Sequence, residues 1–102
     1  MIDICFSEIA SNKLKFSVIG HSSSEKGKDI ICAGVSALTQ TFIRGIEKNL
    51  NAKFIGEFQP GKCNLTIEVP NEFSKEFKII CEIFRDGFNK ISESYPEQVK
   101  LN

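Results

Sequence analysis

The sequence predicts an α+β fold: a two-layer α/β sandwich in which a mixed sheet of about five strands packs against two long helices, in the order ββαββαβ. Three observations carry this expectation. Two long stretches repeat apolar residues every three or four positions, which is the period of a helix burying one stripe. Shorter runs around them alternate apolar and polar residues, which is the period of a half-buried strand. The chain has 102 residues, enough for a single domain spanning 1–102 that buries roughly two-thirds of its unfolded surface.

In chain order, Ile2, Ile4 and Phe6 alternate with Asp3, Cys5 and Ser7 and predict a first strand. Ala10-Ser11-Asn12 supplies turn chemistry, and Leu14, Phe16 and Val18 predict a second strand ending near Ile19-Gly20. His21 then stands at a strand end. Residues 22 to 28, SSSEKGK, hold no apolar side chain and predict an exposed, mobile loop. Asp29 reads as a helix N-cap, its carboxylate accepting a bond from a first-turn N–H. Ile31, Val35, Leu38, Phe42, Ile46 and Leu50 form the first helical stripe, and Ala33, Gly34, Ser36 and Ala37 keep its early turns slender enough for close backbone approach. Ala52 to Phe58 and Cys63 to Val69 predict the third and fourth strands around a Pro60-Gly61 turn. The second helix starts at Pro70-Asn71, with the stripe Phe73, Phe77, Ile80, Phe84, Phe88, Ile91, Tyr95, and stops at Pro96. Val99 and Leu101 suggest a short fifth strand. Both helices are expected on one face of the sheet, and the crossover through the first helix makes strands two and three parallel. Sheet order stays open.

Composition narrows the function classes. Thirteen basic and thirteen acidic residues leave a net charge of zero, so no global field recruits nucleic acid or a membrane surface. No apolar run approaches the ~20 residues of a membrane span, and the N-terminus shows no signal-peptide pattern. The four cysteines, at 5, 32, 63 and 81, form no CxxC pair and fit reduced thiols in the cytoplasm. One histidine and scattered cysteines do not make a metal site, which needs three or four well-spaced ligands. No cofactor is indicated.

The chemistry concentrates in GHSSSEKGKDIICAGVSAL, residues 20 to 38. It holds the only histidine, His21, and places Cys32 in the first turn of the long helix. Those are the ingredients of a thiol nucleophile with a general base. A helix N-terminus supplies at most ~2 kcal/mol, short of ionising an ordinary thiol near neutral pH, so the mechanism needs His21. The competing readings are a small buried helix cysteine and a surface imidazole. Asp29 caps the helix or orients His21; Ser36, one turn beyond Cys32, packs or bonds near the thiol. Ser22, Ser23 and Ser24 lie in a segment without the shaped turn a serine nucleophile uses, and Gly20 to Lys28 has the wrong spacing for a phosphate loop. Cys5, Cys63 and Cys81 read as structural.

The same stretch resembles the signature of the ribosomal-processing cysteine protease family (Prp, or YsxB-like): a Gly-His pair, a short Gly-containing loop, then Asp-Ile-x-Cys-Ala-x-x-Ser-Ala-Leu. The resemblance extends over essentially the whole chain, with the ββαββαβ order and the closing Tyr95-Pro96. It implies a cytoplasmic endopeptidase that removes the N-terminal extension of large-subunit ribosomal protein twenty-seven. It implies Cys32 as nucleophile and His21 as general base, a homodimer, and a substrate-gating loop carrying Gly20, Ser22, Ser23, Ser24 and Gly27. Gly34 departs from the pattern, where Ala or another small residue is expected. The rival classes are a non-catalytic ribosome-associated binding module and a redox sensor using Cys32 as its thiol.

Overall fold

The computed structural model describes residues 1–20 and 30–102, together with the backbone but not the side chain of Asp29. The elements are β1 (Ile2–Ala10), β2 (Lys13–Gly20), α1 (Asp29–Leu50), β3 (Lys53–Gln59), β4 (Lys62–Glu68), a 3₁₀ turn (Asn71–Phe73), α2 (Ser74–Ser94) and β5 (Val99–Leu101). The expected ββαββαβ order holds. The five strands form one mixed sheet in the order β3-β4-β2-β1-β5. β2 and β3 run parallel as the crossover requires, yet β4 lies between them, antiparallel to both. The parallel neighbours are β1 and β5.

Strand register explains the core. Phe6 faces Phe16, Phe16 faces Leu65, and Leu65 faces Gly56, so one row of inward positions crosses four strands. The neighbouring row runs Leu101, Ile4, Val18, Cys63, Phe58. Both helices cover this one face. The rings of Phe6 and Phe16 on the sheet lie 4.8 Å apart, and each reaches Phe42 of α1 and Phe88 of α2, at centroid distances between 5.2 and 6.0 Å. Phe16, Phe42 and Phe88 are fully buried. Offset and edge-on rings at such distances add to the area they bury.

Local signals decide where the elements begin and end, and several differ from expectation. Asn51, at φ 53°, ends α1 in the left-handed region that Asn tolerates, and moves the start of β3 to Lys53. Phe73 belongs to the 3₁₀ turn and not to α2. Tyr95 lies beyond the last turn of α2, is exposed, and accepts the amides of Gln98 and Val99 through its carbonyl. It therefore turns the chain into β5 instead of extending the buried stripe. Leu38 is half-buried, and Ile43 and Thr39 join Phe42 and Ile46 inside. The expected close backbone approach to the slender turns of α1 is absent at Gly34. A Cβ there would meet only the Ile91 side chain, at 3.6 Å. The nearer helix contact is at Gly87, where a Cβ would meet the Leu38 side chain at 3.4 Å. Among the described residues no helix is long and apolar enough to cross a membrane.

Candidate active site

Cys32 is the fourth residue of α1, which starts at Asp29 itself, one position earlier than a cap at Asp29 implies. The side chain of Cys32 is half-buried and packs against the core. It opens on a cleft of about 410 Å³ between the first three turns of α1 and the sheet. Helical spacing sets the α1 wall: Cys32, Ser36 and Gln40 recur every four residues and share a face, with Val35 and Thr39 beside them. The floor is Val18 and Cys63 from the second inward row, with Ile2 and Gly20 at one end. The far wall is the β3–β4 hairpin, Phe58 to Lys62.

Two glycines make this geometry possible. Gly20 has φ +114°, and a Cβ there would fall 2.2 Å from the Met1 carbonyl oxygen. Only glycine lets the end of β2 pass that close to the N-terminal backbone. Its amide donates to the Gly61 carbonyl at 3.1 Å, which ties the end of β2 to the hairpin turn. Gly56, at φ +134°, would place a Cβ 2.1 Å from the Asn64 carbonyl oxygen, so β3 is drawn against β4 in the middle of the hairpin.

Two of the other cysteines, Cys63 and Cys81, are chemically quiet. Burial pushes the Cys63 thiol up to about 11. Cys81 is pushed up to about 12, first by burial, then by the charge of Glu8; Arg85 partly opposes and Glu82 adds. Both remain neutral thiols near physiological pH, which fits a packing role. The buried hydroxyl of Thr39 is satisfied within its own helix, donating to the Val35 carbonyl at 2.7 Å.

The structure thus brings Cys32 and Ser36 together on the cleft and sets Gly20 at its end. His21, Ser22, Ser23, Ser24 and Gly27 lie outside the described residues, as does the carboxylate of Asp29. Sequence reading missed Gln40, Thr39 and the hairpin wall. The first two were readable at helical spacing from Cys32; the hairpin wall depends on sheet order, which local patterns do not encode. Among the described residues no group of three His, Cys, Asp or Glu gathers to hold a metal.

The model of the family described as cysteine protease Prp matches residues 1–100. The chain belongs to the cysteine protease Prp family. As a member it is a cysteine protease, and the Prp match spans both helices, the first four strands and the start of β5. Solved structures agree on the fold. SMU.848 from Streptococcus mutans is 25% identical with a TM-score of 0.80, covering 100% of this chain and 92% of its own. The essential ribosomal processing protease Prp from S. aureus, in complex with a substrate peptide, is 24% identical with a TM-score of 0.76, covering 100% and 98%. The same S. aureus protease with a covalently linked product peptide gives 22% and 0.78, with the same coverage. No curated protein matches the chain.

Proposed function

We propose that this protein is an endopeptidase that uses Cys32 as nucleophile and His21 as general base to remove the N-terminal extension of large-subunit ribosomal protein twenty-seven. The observation that carries the reading is the place of Cys32, in the first turn of α1 on the wall of the 410 Å³ cleft. The S. aureus relative is a ribosomal processing protease that holds a substrate peptide, which supports a peptide substrate here and the choice of a ribosomal one. The resemblance of residues 20 to 38 to the family signature supports the pairing with His21, the cytoplasmic location and a homodimer.

In this reading His21 takes the Cys32 proton, and the thiolate attacks the scissile carbonyl carbon to form a tetrahedral oxyanion. N–H groups at the start of α1 stabilise that charge. The intermediate collapses as His21 protonates the leaving amine, leaving a thioester on Cys32. Water, deprotonated by His21, hydrolyses the thioester and restores the thiol. Asp29 orients His21 or helps start the helix, Ser36 supports the thiol from the next turn, and the segment from Gly20 through Gly27 closes over the peptide.

The test is incubation of the wild type, Cys32→Ala and His21→Ala with a synthetic peptide spanning that N-terminal extension, read by mass spectrometry. The wild type is expected to cut once, and each variant to lose at least roughly a thousandfold in rate. Cleavage indifferent to both substitutions removes the dyad. A wild type that binds the peptide uncut leaves the binding module.

A further inference from the structure

The sheet has two edges, and the chain treats them differently. On the β1 side, β5 pairs only with Ile2 to Ile4. Just beyond it Arg85 of α2 donates to the Phe6 carbonyl at 2.6 Å and lies over the Phe6 ring at 5.4 Å. That side of β1 is occupied. On the other side β3 is a seven-residue edge strand with only Phe54 withdrawn from solvent. Ile55 is 76% and Phe58 49% exposed.

Backbone parity shows which groups β3 offers. Antiparallel neighbours alternate between pairs that exchange both hydrogen bonds and pairs that exchange none. The two-residue Pro60-Gly61 turn closes on Gln59 and Lys62, so that pair exchanges bonds, as do Glu57/Asn64 and Ile55/Thr66. Carried across the sheet, this alternation accounts for Gly20 donating to Gly61, Ile2 to Gln98, and Phe6 accepting from Arg85. Gly56 and Phe58 therefore turn their N–H and C=O groups away from β4, to the outer edge. Among the described residues no backbone group bonds to either of them there.

We propose that the outer edge of β3 captures the substrate main chain as a sixth, extended strand, with the backbone of Gly56 and Phe58 holding it at the hairpin wall of the Cys32 cleft. This rests on the proteolytic reading above. Continuity with the cleft singles out a peptide: Phe58 and Gln59 line the same cleft as Cys32, so a strand laid along this edge reaches the cleft at its hairpin wall. A peptidase needs its scissile segment extended, and strand addition supplies bonds that are indifferent to side-chain identity. Alternate substrate side chains then fall on the helix-covered face beside Phe58, at the rim of the cleft. A long exposed edge strand bearing Ile55 and Phe58 is otherwise a liability, and a second copy paired there would close the cleft mouth at Phe58.

The experiment uses full-length Cys32→Ala and the synthetic peptide spanning the N-terminal extension of ribosomal protein twenty-seven, with amide hydrogen exchange followed by NMR. Adding peptide is expected to slow exchange at Gly56 and Phe58 by roughly tenfold or more, while Ile55 and Glu57, already in the ladder, stay unchanged. In the Cys32 background, Phe58→Pro removes the outward amide without breaking the ladder and is expected to raise KM roughly three- to tenfold with kcat retained. If that variant does not fold, amide exchange decides alone. Binding without protection at Gly56 and Phe58 overturns the proposal, as does an absence of binding. Protection present before peptide is added, rising with protein concentration, assigns the edge to a second copy and also overturns it. Cleavage by the wild type without edge protection defeats strand capture alone; edge protection without cleavage defeats the proteolytic reading alone.

Discussion

Gly20 donates its amide to the Gly61 carbonyl at 3.1 Å, so the residue that precedes His21 is tied to the turn that walls the cleft. The same residue holds a left-handed φ of +114° against the Met1 carbonyl. Gly20→Ala therefore forces either a backbone shift or strain. Its expected cost is about 1–3 kcal/mol, seen as a lower midpoint in urea. Because displacement here moves the start of the His21 segment, kcat is expected to fall roughly ten- to hundredfold. A variant with normal stability and normal cleavage shows that this junction does not position the site.

Alkaline stability tests the burial of Cys63. Its thiol is pushed from an ordinary 9.0 to about 11. Below about pH 9 both folded and unfolded chains keep the proton and the group is silent. Between 9 and 11 the unfolded chain loses the proton while the folded chain retains it, so stability falls as pH rises. Near pH 10 the loss is of order 1 kcal/mol. Cys63→Ala, though less stable at neutral pH, is expected to lose less between about pH 8 and about pH 10 than the wild type. Parallel pH dependences refute the assignment.

How much of this was legible beforehand follows from the range of each interaction. Ile4, Phe6, Phe16, Leu65 and Ile67 alternate locally, and Phe42, Ile46, Phe77 and Phe88 repeat at helical spacing, so the elements and their inward faces were readable. The place of Cys32 at the start of α1 was readable for the same reason. The insertion of β4 between β2 and β3 was not, because pairing Phe16 with Leu65 joins positions far apart in sequence that no local pattern couples. With sheet order unassigned, the hairpin wall of the cleft and the edge at Phe58 were invisible. Tyr95 misled because it keeps the helical period after the helix has ended, where its carbonyl is needed for the turn into β5.

The rings of Phe16 and Phe88 sit where both helices meet the sheet, 6.0 Å apart between centroids and without exposure. Truncating either leaves a void that the surrounding rings fill only in part. Phe16→Ala is expected to cost about 3–5 kcal/mol, comparable with the whole stability of a small fold, and to leave the protein largely unfolded by circular dichroism at physiological temperature. Phe88→Leu keeps most of the volume and is expected to cost less than Phe16→Ala, with cleavage retained. Two variants of equal stability contradict the central position of these rings.

Arg85 tests the asymmetry of the two sheet edges. It makes a charge-assisted bond to the Phe6 carbonyl at 2.6 Å and covers the Phe6 ring. It occupies the edge of β1 where β5 has ended. Removing the side chain leaves that carbonyl to water and uncovers a strand edge next to apolar Phe6. Arg85→Ala is expected to cost about 1–2 kcal/mol and to increase concentration-dependent association, read by light scattering, because an exposed edge pairs with other strands. Arg85→Lys keeps a donor and the charge without the planar fork, and is expected to restore part of the stability. Cleavage per folded molecule is expected to stay unchanged in both, since Arg85 lies on α2 away from the lining of the Cys32 cleft. Association unchanged in Arg85→Ala shows that β5 alone protects this edge and that Arg85 serves packing.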